Sequence, residues 1–167
     1  MGFTSFLGLV VASAVGWCIP SRPLDFKPLI ERDHPGVPWI SADALERSWT
    51  AGPVPVLLDV RTEAEFAVSH LRGAIRIDPE APASAVQIPE GRPVIVYCSV
   101  GYRSAALGRR LQARGVEVKN LEGGLFQWAN DGRPLVSVSG TAKLVHPYDA
   151  VWGRLLRPEA RAPLNAP

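Results

Sequence analysis

Two short stretches of the chain are apolar without alternation. Val56-Leu57-Leu58-Asp59-Val60 and Pro93-Val94-Ile95-Val96-Tyr97 have the pattern of strands buried on both faces. Between and after them the period changes. Thr62 and Glu65 form a capping box that starts a helix running through Ser69. Leu107 and Leu111 stand one turn apart in a helix over 104–114, and Gly115 ends it. Trp39-Ile40 reads as a short strand, Ser41 as the cap of a helix to about Ser48, and Gly52-Pro53 as a turn. A short strand near 74–77, a strand over 116–121 and a helix over 124–130 complete the series. Strands alternating with helices at these lengths predict an α/β domain with a parallel sheet covered on both faces.

The pattern also divides the chain. Residues 2–19 carry no charged side chain, and this N-terminal segment (1–20) reads either as a membrane anchor or as a signal peptide. Ala12-Ser13-Ala14 fits signal cleavage, but no Lys or Arg precedes the apolar run. Arg22, Lys27 and Arg32 all follow it, which for an anchor places the domain on the cytoplasmic side; cleavage would instead give a periplasmic or secreted domain. Five prolines between Pro20 and Pro38 predict an extended linker over 21–36. The domain itself is expected over 37–135. A C-terminal extension, 136–167, carries one short helix over 148–156 and ends in Pro- and Ala-rich residues with the composition of a disordered tail.

Composition narrows the function classes. Nearly half of the residues are hydrophobic and a fifth are charged, as a globular core requires. A net charge of +2, with basic residues scattered, gives no footprint for nucleic acid. The two cysteines, Cys18 and Cys98, form no C-x-x-C pair, so neither a zinc site nor a dithiol motif is indicated, and no metal or organic cofactor is expected. Cys18 stands in the apolar N-terminal segment, apart from the domain, which leaves Cys98 as the candidate free thiol.

Cys98-Ser99-Val100-Gly101-Tyr102-Arg103-Ser104 joins the end of a buried strand to the start of a helix. Ligands of open parallel sheets bind outside the carboxyl ends of the strands, where this loop lies. Gly101 lets the loop curl so that the following N–H groups converge on the sulfur, a nest that favours an anion. A helix end contributes about 0.3–1 kcal/mol, up to about 2 in favourable geometry. Any larger stabilisation of a thiolate has to come from the converging N–H groups, so the loop matters more than the dipole. A lone buried cysteine is ordinarily a core residue; the Gly turn and Arg103-Ser104 right after Cys98 set this one apart.

These residues resemble the rhodanese family. Leu57-Leu58-Asp59-Val60-Arg61, Glu65-Phe66 and His70-Leu71-Arg72-Gly73-Ala74 look like its first signature, D-V-R, E-F/Y and H-I-x-G-A. Leu121-Glu122-Gly123-Gly124 with Trp128 and Gly132-Arg133-Pro134 look like its closing one. The resemblance implies a rhodanese-like, five-stranded parallel sheet with helices on both faces. It also implies a sulfurtransferase that moves sulfane sulfur from a thiosulfate- or persulfide-type donor to a thiol or cyanide through a Cys98 persulfide. The acceptor is then a small thiol or a protein. Cys98 and Arg103 carry the catalytic roles; Ser99, Val100, Gly101, Tyr102, Ser104 and Arg61 fall against the substrate. Asp59 and His70 are expected near the site with structural roles. Tyr102 is large and neutral where some members carry an extra positive charge suited to thiosulfate.

Two other classes compete. A Cys-dependent phosphatase or arsenate reductase has a longer loop between Cys and Arg, wide enough for a tetrahedral oxyanion, whereas only Ser99, Val100, Gly101 and Tyr102 intervene here. A non-catalytic binding or scaffold module is the other alternative, although such modules typically lack the cysteine. His146-Pro147-Tyr148-Asp149 and Trp152 lie beyond the resemblance, either packing across the domain or lining the mouth of its pocket.

Overall fold

The fold was analysed in a computed structural model in which residues 25–166 are described. Five strands, β1 (Trp39–Ile40), β2 (Val56–Asp59), β3 (Ile75–Arg76), β4 (Val94–Tyr97) and β5 (Val118–Leu121), form one sheet in the order β1-β5-β4-β2-β3. Every pairing in it is parallel. The two uninterrupted apolar runs are neighbours at its centre, with Val56 opposite Val94 and Asp59 opposite Tyr97. Because successive side chains point to opposite faces, each run feeds two cores. Leu57, Ile95 and Tyr97 join the cluster that holds Leu45, Phe126 and Trp128. Val56, Leu58, Val94 and Val96 join the cluster that holds Leu107 and Leu111. Both faces of these strands are therefore dry, which is why the runs show no polar alternation.

Helices α2 (Ala42–Ala51), α3 (Glu63–Val68), α4 (Tyr102–Gln112) and α5 (Gly124–Asn130) follow β1, β2, β4 and β5 in turn. Their starts are those the sequence predicts for three of the four. Ser41 Oγ accepts from Ala44 N–H, and Thr62 and Glu65 make the complete capping box. The exception is α4, which begins at Tyr102, two residues before the expected Ser104, so that the cysteine loop runs straight into the helix.

Two expectations are corrected. The linker predicted over 21–36 is not extended where it is described: α1 (Lys27–Asp33) is a helix with Ile30 buried. Pro28 falls in its first turn, where a missing N–H costs nothing. The segment is held down by Lys27 Nζ on Glu122 and by Trp39 Nε1–H donating to Glu31. The tail is neither a helix over 148–156 nor disordered as far as residue 166. Strands β6 (Leu135–Ser137) and β7 (Gly140–Ala142) make a hairpin, followed by 3-10 turns over Trp152–Leu155 and Pro158–Ala160. Asp149 Oδ1 accepts from the N–H groups of both Val151 and Trp152, and this local turn replaces the α-helical start. Val145 and Ala160 pair through their backbones, and Val145, Leu156 and Ala160 pack into the cluster of Trp128. The tail is part of the core.

Among the described residues no helix is long and apolar enough to cross a membrane. The apolar segment over 2–19, with its anchor and signal readings, lies outside them.

Candidate active site

Cys98 follows β4 directly and is 1% exposed. Its sulfur accepts the Gly101 N–H at 3.2 Å. Gly101 has φ +104, a conformation in which a side chain is strained, and this turn brings its N–H back over the thiol. Ala105 N–H is the first of α4 to reach back to Gly101 C=O. The amides of Tyr102, Arg103 and Ser104 therefore have no acceptor within the helix. Of the converging N–H groups expected from the sequence, that of Gly101 reaches the sulfur, with the first turn of α4 following it.

The carbonyls of the loop are turned the other way. Leu125 N–H donates to Cys98 C=O at 2.9 Å and Phe126 N–H to Ser99 C=O at 3.0 Å. The first turn of α5 thus holds the back of the loop, leaving its N–H side for the sulfur. Gly124 makes this approach feasible, since a Cβ there would lie 2.5 Å from Cys98 C=O. A second brace is Asn120, whose amide donates to Gly101 C=O and whose carbonyl accepts from Ser104 Oγ, both at 2.8 Å. In the sequence, Gly123-Gly124 reads as a turn and Asn120 as an ordinary strand residue. Their part in the loop depends on β4 and β5 being adjacent.

Arg103 is clamped by Glu65. Its two terminal nitrogens donate to the two carboxylate oxygens at 2.8 Å each, and Nη2 also reaches Ser99 Oγ at 3.0 Å. Ser99 Oγ in turn donates to Glu65 Oε1 at 2.8 Å. Burial alone would raise the Glu65 pKa; the Arg103 guanidinium and the Thr62 N–H overcome this and hold it at about 2. Burial also works against the charge of Arg103, and Glu65 and the Cys98 sulfur more than offset it, raising its pKa. Glu65 is a site residue that sequence reasoning misses: the sequence shows it in the capping box and in the first signature, and the cap uses only one oxygen of its carboxylate.

A cavity of about 400 Å³ opens on Cys98. Ser99, Val100, Tyr102 and Arg103 of the expected set line it. Leu29 and Asp33 of α1 form one wall, and Tyr148 and Trp152 of the tail form another. The Tyr148 ring lies 4.9 Å from the Arg103 guanidinium carbon, and Tyr102 Oη donates to Asp33 at 2.9 Å. Of the two readings of the tail aromatics, the placement at the pocket holds for Tyr148 and Trp152.

The other expected residues are framework. Arg61 and Ser104, expected against the substrate, are both fully buried and do not line the cavity. Arg61 donates to both oxygens of Asp59, at 2.8 and 2.6 Å, and to Ser69 C=O. Its charge is thus taken up inside the fold. Gly101 shapes the loop without lining the cavity. His70 stacks on Phe66 with Nδ1 3.0 Å from Phe66 C=O, and its backbone pairs with Val136. Among the described residues no group of His, Cys, Asp and Glu side chains could hold a metal ion.

The profile of the Rhodanese-like domain matches residues 41–131. A protein named sulfurtransferase from Allochromatium vinosum is 36% identical over 87 residues, 51% of this chain and 81% of that protein. A tRNA uridine(34) hydroxylase of Bacillus pumilus is 34% identical over 87 residues, 47% of this chain but only 27% of the relative. Among solved structures, a rhodanese-related protein from Thermoplasma volcanium superposes with a TM-score of 0.54 at 27% identity, covering 59% of this chain and 97% of that one. Leu29 and Asp33 on one side and Tyr148 and Trp152 on the other fall outside the matched residues.

Proposed function

Because this chain belongs to the rhodanese-like domain family, we propose that it is a sulfurtransferase that carries sulfane sulfur on Cys98. The observation that carries this reading is the Gly101 N–H on Cys98 Sγ at 3.2 Å, at a sulfur that faces a cavity. The Gly101 N–H is a donor placed where negative charge gathers on the sulfur during transfer.

In the first half-reaction the Cys98 thiolate attacks the outer sulfur of the donor. A new S–S bond forms while the donor's own S–S bond breaks, and the leaving group departs with the electron pair. That group is sulfite if the donor is thiosulfate and a thiolate if it is a persulfide. In the second half-reaction an acceptor nucleophile attacks the outer sulfur of the Cys98 persulfide, and the Cys98 thiolate is restored. This is covalent catalysis by double displacement, with no external oxidant or reductant. Arg103 is the cation beside the reacting sulfurs, with Glu65 and Ser99 fixing its position.

Phosphoryl transfer is less well served. The planar fork of Arg103, which would grip a phosphate, is already filled by the Glu65 carboxylate. The protein should therefore not turn over aryl phosphates.

The test is intact mass spectrometry after incubation with thiosulfate and, separately, glutathione persulfide. One sulfur atom should be gained by the native protein and none by Cys98→Ser. A folded protein whose Cys98 can be alkylated, yet gains sulfur from neither donor, would exclude this function.

A further inference from the structure

The walls of the cavity say more about the donor than the cysteine loop does. On the sulfurtransferase reading above, we propose that the site takes an organic sulfane-sulfur donor, with a compact apolar group next to the transferred sulfur, in preference to the inorganic dianion thiosulfate. Tyr148 and Trp152 are its specificity-determining residues.

Size is the first argument. A volume of about 400 Å³ falls in the range of organic ligand sites, about 300–1,000 Å³. An inorganic sulfur anion would leave most of it filled with water. The walls are the second. Leu29, Val100, Tyr148 and Trp152 present hydrocarbon and aromatic rings to the space above Cys98. Val100 is buried in the fold, and Phe26 packs on Trp152 with ring centroids 5.7 Å apart, so Trp152 is supported from behind.

Charge is the third. Among the described residues the only cationic side chain lining the cavity is Arg103, and both of its terminal nitrogens are bonded to Glu65. The Tyr148 ring covers its guanidinium at 4.9 Å. The other charged lining residue is a carboxylate, Asp33, held by Arg32 and the Tyr102 hydroxyl. Among the described residues no uncommitted cationic side chain faces the cavity to balance the second charge of a dianion. Tyr148 is also the only described non-glycine residue with positive φ, +66, and its N–H is bonded to His146 Nδ1 at 3.0 Å. A tyrosine held in that conformation marks a position the surrounding structure imposes.

The transfer is the same displacement as above. Cys98 Sγ bonds to the outer sulfur, the bond between that sulfur and its neighbour breaks, and the carbon-bearing fragment leaves with the electron pair. With a thiosulfonate donor the leaving group is a sulfinate.

Thiosulfate, methanethiosulfonate and benzenethiosulfonate make a matched test series. Each step replaces an oxyanion by a carbon group or enlarges that group. The rate of sulfur loading of the native protein would be measured by intact mass. Each value would be divided by the rate at which the same donor reacts with a free small thiol, to remove intrinsic reactivity. The normalised rates should rise from thiosulfate through the methyl to the phenyl donor, by about tenfold or more overall. Trp152→Ala and, separately, Tyr148→Phe and Tyr148→Ala report the walls: the phenyl-to-methyl ratio should fall in the alanine variants and persist in Tyr148→Phe. Normalised rates that are equal, or highest for thiosulfate, would overturn the proposal whatever the variants do. If none of the three loads Cys98, the donor preference is overturned, and loading by glutathione persulfide separates that failure from a failure of the sulfurtransferase reading itself.

Discussion

Glu65 and Arg103 face each other fork to fork, through two hydrogen bonds of 2.8 Å each, and the carboxylate is almost wholly buried beneath the guanidinium. Glu65→Gln keeps the shape and removes the charge. Leaving a half-buried cation without its partner should cost about 2–3 kcal/mol, read by urea denaturation.

The same pair sets an acid limit. Glu65 is held at about 2, against 4.5 for an ordinary glutamate, so its contribution to stability is fully present above about pH 4.5. It is lost as the pH falls toward 2 and the carboxylate takes up its proton, an effect of about 3 kcal/mol by linkage. Denaturation midpoints between pH 5 and 2.5 should fall more steeply for the native protein than for Glu65→Gln. Parallel curves would contradict this.

Arg103→Lys retains the charge and loses the fork. A lysine reaches one carboxylate oxygen as a point charge and cannot also bridge Ser99. Sulfur loading of Cys98 should slow by about 10- to 100-fold, corresponding to about 1.5–3 kcal/mol for a charge-assisted hydrogen bond. Stopped-flow measurement of the first half-reaction would check it, since steady-state turnover mixes in the acceptor step.

Two glycines give a contrast. Gly124→Ala places a Cβ 2.5 Å from Cys98 C=O and 2.6 Å from Ser99 C=O, so the cysteine loop must shift. Loading should drop sharply, and stability should fall by about 1–3 kcal/mol. Gly115→Ala has a similarly unfavourable φ of +80 but open space around it; it should cost about 1 kcal/mol without altering Cys98 chemistry. Equal effects of the two on loading would argue against the α5 contact as the support of the loop.

Asn120→Ala leaves Ser104 Oγ without its acceptor and Gly101 C=O with the Ala105 N–H alone, in a buried place. The expected loss is about 1–3 kcal/mol, with faster alkylation of Cys98 as the loop loosens. Thermal unfolding and iodoacetamide kinetics measure the two effects.

What could be read from the sequence and what could not divide along one physical line. The central strands were legible because burial on both faces leaves an unbroken apolar run, and α3 because its cap is closed by residues three apart. The cysteine loop was legible because Cys98, Gly101 and Arg103 are near neighbours in the chain. Glu65 was visible only in its local role, since its other partner, Arg103, arrives through the β2–β4 pairing. Asn120 and Gly124 escaped for the same reason. The prolines misled around α1, where Pro28 sits at a helix start rather than against one. The end of the tail has a disordered composition in its prolines and alanines, and nothing local marks Val145, Leu156 and Ala160 as core, yet each reaches it by long-range packing.

The contact between the carbonyls of Cys98 and Ser99 and the amides of Leu125 and Phe126 also sets a schedule. During synthesis the cysteine emerges before Leu125 and Phe126, and until α5 docks its loop lacks this support. The finished loop and the finished fold therefore appear together. In the folded protein Cys98 is 1% exposed, so an immature or partly opened chain uncovers it, and its alkylation during refolding should slow with the docking of α5 rather than with the assembly of the sheet.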